Sequence, residues 1–153
     1  MPLQRLQKYL DENHVSYEMI PHPETLTAQE TAAAAHIPGK QVAKVVVVSL
    51  DGVWAMIVLT APERLDLDKL RRVTGAHEVE MATEEKLREL FEDCEVGAMP
   101  PFGKLYGLRV FVDEHLREDA QIAFNAGSHH ELMRLAYDDF ERLTEPVIAS
   151  IHR

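Results

Sequence analysis

Two β-branched runs, Ala43 to Leu50 and Val53 to Leu59, stand on either side of Asp51-Gly52. No other feature restricts the fold as much. Asp-Gly supplies two residues that tolerate positive φ, as a two-residue turn between antiparallel strands requires, so the runs are expected to form a β-hairpin. Val45-Val46-Val47-Val48 is apolar on both faces, so the first strand is expected to be central and covered on both sides.

The rest of the chain surrounds this hairpin with alternating helical and extended patterns. Leu3, Leu6 and Leu10 form an apolar helical stripe that should end near Asn13-His14. Val15 to Met19 then alternates like a short strand. Thr27-Ala28-Gln29-Glu30 has the capping-box spacing ahead of an alanine-rich helix that should stop before Pro38-Gly39. Asp66 to Thr74, closed by Gly75, and Thr83 to Phe91 read as two further helices. Leu108 to Val112, Gln121 to Asn125 and Leu132 to Ala136 read as later strands. The expected fold class is α+β: one mixed, barrel-like sheet with helices packed outside it, in a single domain spanning residues 1–153.

Length and composition fit that expectation. A chain of 153 residues that is 46% hydrophobic can bury roughly two-thirds of the surface its unfolded form exposes. Cys94 is the single cysteine, so neither an intramolecular disulfide nor a CxxC metal site is available, and a reducing compartment fits. The opening Met1-Pro2-Leu3-Gln4-Arg5-Leu6 has no continuous apolar core, so neither a signal peptide nor a membrane span is expected, and the cytoplasm is the expected location. With 16 basic and 26 acidic residues the net charge is -10. This argues against wrapping DNA or any long stretch of phosphate backbone, but leaves room for a compact contact with one RNA end.

Three segments could carry chemistry. Cys94 to Gly103 packs two glycines and Pro100-Pro101 into a stretch too irregular for helix or sheet. Such a loop can aim its remaining amides at a developing oxyanion, or it can simply be a rigid entry to the strand at Leu108. Lys44 opens an otherwise apolar strand; it either snorkels from the strand end or serves a site. Ala126-Gly127-Ser128-His129-His130-Glu131 offers acids, bases and ligands after a strand. Adjacent histidines on an extended chain point to opposite faces, which disfavours metal capture, and no nucleophile-elbow context supports a triad of Ser128, His130 and Asp138 or Asp139. Exposed turn residues with one histidine packed inward are the plain alternative.

Lys44 before a valine-rich strand, the loop Gly97-Ala98-Met99-Pro100-Pro101-Phe102-Gly103, and Ala126-Gly127-Ser128-His129-His130 resemble, in order and spacing, the YbaK and prolyl-tRNA-synthetase editing-domain family. The resemblance runs from about Leu3 to Leu143, and its most specific element is a GxxxP loop matched by Gly97 and Pro101. It implies a free-standing aminoacyl-tRNA deacylase that hydrolyses the ester of a mischarged tRNA without metal, cofactor or protein nucleophile. Carried over by residue, Gly97, Ala98, Met99 and Pro101 would clamp the substrate carbonyl, with the terminal ribose hydroxyl helping to position water. Lys44 would hold the terminal phosphate or orient the aminoacyl-adenosine. Thr27, Gly127, Ser128 and His130 would line the substrate site, His130 beside the amino acid.

The implied partner is the 3′ end of an aminoacyl-tRNA, with the tRNA body recruited through a synthetase or elongation factor; DNA and membranes are not expected partners. Alanine or cysteine on proline tRNA leads the substrate choices, with serine or threonine on other tRNAs behind them. One departure matters here. Val45 and Val46 follow Lys44, where some alanine-specific relatives place a polar residue, so their pocket chemistry does not transfer. The rivals are a non-catalytic tRNA-end or nucleotide-binding module accessory to a synthetase, and a hydrolase of another small activated ester.

Overall fold

The structure is a computed structural model that describes residues 3–25 and 27–153. Met1 and Pro2, the start of the N-terminal stretch read above, lie outside the described residues. Helix α1 (Gln4–Glu12) buries Leu6 and Leu10 and gives way at Asn13-His14, as the stripe requires. Strand β1 (Tyr17–Pro21) starts two residues later than expected. Val15 does not alternate into it, because its amide closes the end of α1 on the Leu10 carbonyl at 2.9 Å and its side chain is buried in the core. Helix α2 (Ala28–Ala34) is capped by Thr27, whose hydroxyl oxygen accepts the Glu30 amide at 3.1 Å.

Strands β2 (Ala43–Leu50) and β3 (Val53–Thr60) form the expected hairpin, in register from Ala43↔Thr60 to Leu50↔Val53. Asp51 and Gly52 make the turn at φ 49° and 91°, the pair of positive values that matches the twist of the flanking strands. Helix α3 (Leu67–Thr74) runs from the Asp66 cap to Gly75, strand β4 (Val79–Met81) follows, and Thr83 caps α4 (Glu84–Leu90). Strands β5 (Arg109–Asp113), β6 (Gln121–Asn125) and β7 (Glu131–Ala136) fall on the three late segments. Helix α5 (Tyr137–Thr144) and strand β8 (Val147–Ala149) complete the chain and were not expected. Asp138 and Asp139 therefore belong to the first turn of a helix, where Asp139 pairs with Arg142 at 3.2 Å. Among the described residues neither aspartate bonds to Ser128 or His130, so the imagined triad does not form.

The strands form two sheets. The larger has the order β4-β2-β3-β5-β8, parallel where β5 meets β3 and β8, and the smaller is the antiparallel set β1-β7-β6. Among the described residues one isolated bridge, Val42 parallel to Ala123, joins them, and this is the form the barrel-like reading takes. The main core lies between the sheets. Phe102 stands edge-on to Phe124 and Phe140 at centroid separations of 5.5 and 5.6 Å, each such pair worth about 1 kcal/mol beyond its buried area. Val48, Ile57 and Leu59 leave the other face of the hairpin and pack with Leu70 of α3 and Ile151. The hairpin is thus covered on both sides at Val47 and Val48, while Val45 and Val46 are half-buried. No helix among the described residues is long and apolar enough to cross a membrane.

Candidate active site

The irregular loop after α4 is held to the β6–β7 turn by a set of reciprocal bonds. The Glu95 amide donates to the Gly127 carbonyl at 2.8 Å, and the Gly127 amide donates to the Ala98 carbonyl at 2.9 Å. The Glu95 carboxylate accepts the His129 amide at 2.9 Å, and the His129 ring reaches the Val96 carbonyl at 2.7 Å through Nε2. A carbonyl only accepts, so Nε2 carries the proton. Gly97 holds φ 85° within this latch, a conformation that costs a residue with a Cβ about 1–2 kcal/mol. Gly127 has φ 97°, and a Cβ there would come within 2.7 Å of Leu3 Cγ at the start of α1. A larger residue in that turn would be strained and would have to displace the Leu3 side chain.

The latch decides which amides of the loop remain available. The Ala98 amide is consumed by the Glu95 carbonyl at 3.0 Å, so Ala98 supplies no N–H to a ligand and the carry-over is corrected there. The amides of Gly97 and Met99 have no acceptor among the described residues. The side chains of Ala98, Met99 and Pro101 are buried, Met99 in the main core. They fix the loop from within the core.

The outer edge of β6 brings the other candidates to the loop. Ala123 on that edge bridges Val42, and Gly127, four residues on, holds the loop. Asn125 lies between the two attachments. The Val42 bridge is parallel, so Lys44 comes level with Asn125 and leaves its strand on the same side as Val42. His22 lies opposite His130 across the extended end of β1, its amide bonded to the His130 carbonyl at 2.8 Å. Leu132 pairs with both Ile20 and Asn125. By alternation His22, His130 and Asn125 leave the small sheet on one face.

Two of these residues were not foreseen. His22 donates through Nδ1 to the Pro23 carbonyl at 2.7 Å, which leaves Nε2 of the neutral ring as an acceptor. That Nε2 and Asn125 Oδ1 are buried without a partner among the described residues, and buried acceptors are nearly always matched by donors. The sequence signal was a histidine in a proline-flanked stretch, His22-Pro23, and an asparagine ending an apolar strand.

The remaining candidates lie in the same neighbourhood. Ser128 is buried, and its hydroxyl oxygen accepts the His130 amide at 3.3 Å inside the turn. His130 is exposed. Thr27 caps α2, and the Thr27 carbonyl accepts the Thr31 hydroxyl at 2.9 Å; Thr31 in turn meets Thr25 at 2.6 Å, whose amide reaches the His129 carbonyl. Burial pushes the Cys94 thiol up to about 11, so it stays protonated at neutral pH and is no thiolate nucleophile.

Away from the loop, Glu63, Asp113, His115 and His152 place their donor atoms within 4.8 Å of one another, a two-histidine, two-carboxylate set that could hold a divalent ion. The donors already satisfy each other. Asp113 Oδ1 accepts the amides of Ile151 (2.9 Å) and His152 (3.1 Å) and the His152 ring (2.8 Å), while Glu63 meets the His115 ring at 2.9 Å. Burial alone would raise Asp113, but these donors outweigh it and hold its carboxyl below the usual range. The set fastens the end of the chain beside β8 to β5.

Residues 22–143 match the aminoacyl-tRNA editing domain family, and the chain belongs to it. It is 28% identical over 107 residues to the proline–tRNA ligase of Halalkalibacterium halodurans, an alignment covering 70% of this chain and 18% of that ligase. The proline–tRNA ligase of Bacillus cytotoxicus is also 28% identical, over 67% of this chain and 18% of the ligase. The chain therefore corresponds to a small part of those enzymes. A structure described as a candidate trans-editing enzyme for prolyl-tRNA synthetase superposes with a TM-score of 0.85 at 27% identity, covering 98% of this chain and 96% of the other. The hypothetical protein APE2540 superposes with a TM-score of 0.88 at 18% identity, over 98% of this chain and all of its own.

Proposed function

We propose that this chain is an aminoacyl-tRNA deacylase that hydrolyses the ester of a mischarged tRNA without a protein nucleophile. The observation that carries the reading is the pair of acceptor-free amides, Gly97 and Met99, in a loop locked by Gly127 and His129. Water adds to the ester carbonyl carbon as the carbonyl oxygen takes up negative charge and receives these N–H groups. One such preorganised donor is worth about 2.7–4 kcal/mol of barrier. The intermediate then expels the terminal ribose oxygen, which takes a proton, and the free amino acid and tRNA leave. The ribose hydroxyl beside the ester positions the attacking water.

Lys44 meets phosphate, a role that the point charge of an ammonium suits better than proton abstraction. His22 Nε2 and Asn125 Oδ1, the two buried acceptors on the His130 face, receive donors from the aminoacyl-adenosine, its α-ammonium group first. The relation to proline–tRNA ligases favours proline tRNA carrying alanine or cysteine as substrate. The purified protein, incubated with a panel of mischarged tRNAs with and without chelator, should release one amino acid and spare its cognate counterpart. Tight binding of tRNA with no ester loss anywhere in the panel would make the chain a binding module instead.

A further inference from the structure

In a chain of net charge -10 most cations are claimed by acids. Arg5 pairs with Asp93, Lys40 with Asp119, Lys104 with Glu145 and Arg134 with Glu18. Lys44, Arg64 and Arg153 are different. Among the described residues none of the three has an ion pair or a side-chain hydrogen bond, and all three line one open hollow of about 300 Å³.

Their crowding is built into the backbone. Leu65 bridges His152 antiparallel, and the Arg153 amide donates to the Arg64 carbonyl at 2.9 Å, so the two arginines stand directly opposite each other. Like charges in that position destabilise a strand pair. Burial and the Arg64 charge together lower the Lys44 pKa. Glu63 is the acid whose field reaches Lys44, but its Oε1 accepts the Thr60 hydroxyl at 2.6 Å and its Oε2 the His115 ring at 2.9 Å. Three cations crowded together with no ion pair among the described residues are relieved by a bound anion.

The walls of the hollow narrow the choice of anion. Val46, Leu59, Leu65, Leu67 and Met81 form an apolar floor, with Met81 56% exposed. Inorganic phosphate has no use for such a floor, whereas a nucleotide within a strand offers a phosphate to the rim and a sugar and base to the floor. We propose that Lys44, Arg64 and Arg153 form a subsite for an internucleotide phosphate in the single-stranded 3′ end of the RNA, upstream of the adenosine that carries the ester. Arginine supplies forked donors and lysine a point charge, the usual combination on a phosphate. This rests on the tRNA reading above but not on hydrolysis.

The test is binding of uncharged, 3′-labelled CCA-ended tRNA by fluorescence anisotropy across a salt series. It uses the wild type, Arg64→Gln with Arg153→Gln, and Arg71→Gln as a control arginine that pairs with Asp68 outside the hollow. The double variant should bind about tenfold more weakly at low salt and flatten the log–log salt slope by about 1. The control should match the wild type in affinity and melting, and the double variant should melt no lower than the wild type, since it loses a like-charge pair. Equal affinity and slope in wild type and double variant would overturn the subsite, as would an equal loss in the control, which would mean long-range charge only. Competition by AMP and by inorganic phosphate separates the sources. If AMP binding needs the arginines while tRNA binding does not, the ligand is a free nucleotide and the RNA assignment fails. Failure here with deacylation retained leaves the proposed function standing. Arginine-dependent tRNA binding without deacylation does the reverse.

Discussion

His129 Nε2 donates to the Val96 carbonyl at 2.7 Å, tying the ring of one turn to the backbone of the loop that offers the free Gly97 and Met99 amides. His129→Ala removes this tie and opens space behind Gly97, whose side the ring covers. A single hydrogen bond is worth about 1 kcal/mol of stability, so the melting temperature should fall by only a few degrees. The single-turnover deacylation rate should fall far more, by ten- to a hundredfold, because donors displaced by about 1 Å lose roughly that factor. An unchanged rate in the folded variant would detach the latch from catalysis.

Gly97 and Met99 separate backbone from side chain. Gly97→Ala forces a Cβ into φ 85°, and the strain should displace the donors and cost about a hundredfold in rate. Crowding is not the obstacle, since the nearest atom to the new Cβ would be His129 Cε1 at 3.6 Å. Met99→Leu keeps the amide and nearly the volume of a core side chain, so it should cost under about 1.5 kcal/mol of stability and little rate. A larger rate loss for Met99→Leu than for Gly97→Ala would move the chemistry to a side chain.

Lys44→Ala should leave the circular dichroism spectrum intact and strongly reduce deacylation of mischarged tRNA. The residue is half-buried in a strand whose hairpin partner and core are formed by other side chains. Full single-turnover activity in the variant would remove Lys44 from the site.

Acid should unfold this protein partly through Asp113. Its folded-state carboxyl sits below the usual range, so its contribution is present above the unfolded value of about 3.9 and disappears as pH falls through the folded one. His115 runs the other way. Glu63 raises its folded pKa, so its contribution is whole below the unfolded value of about 6.5 and disappears as pH rises through the folded one. Urea midpoints measured from pH 2 to 8 should show Asp113→Asn destabilised by about 3 kcal/mol near neutrality, with a flatter acid limb below about pH 4. Superimposable profiles for variant and wild type would contradict this.

Because the donors of Glu63, Asp113, His115 and His152 are already matched to one another, deacylation should survive EDTA, and equimolar zinc should leave the melting temperature nearly unmoved. Activity lost to chelator and restored by zinc would reverse both expectations.

The local chemistry of this fold was legible, and its long-range pairings were not. Asp51-Gly52, the Thr27, Asp66 and Thr83 caps and Gly75 each act within a few residues, and each marks an element in the structure. Helix α5 escaped because Tyr137, Phe140 and Leu143 follow a strand without any side-chain cap. Strand β8 is three residues long and exists through its partner Phe111–Asp113. In the site, the family resemblance brought the loop, the turn and His130 together but gave no sign of the tie made by His129. Nothing local marks His129 for that tie, since its acceptor is the Val96 carbonyl 33 residues away. Glu63 and His115 are 52 residues apart and were invisible as a pair for the same reason.

The Val42–Ala123 bridge sets Lys44 in one sheet and the latched loop, through Gly127, on the other. A substrate that touches both therefore works as a brace across a joint that, among the described residues, strand pairing closes at one bridge. Such a brace stiffens the joint only when its two ends are a fixed length apart, so the span between ester and phosphate becomes a ruler. A spacer inserted between the ester-bearing adenosine and the phosphate upstream of it would let the end grip one sheet and miss the other.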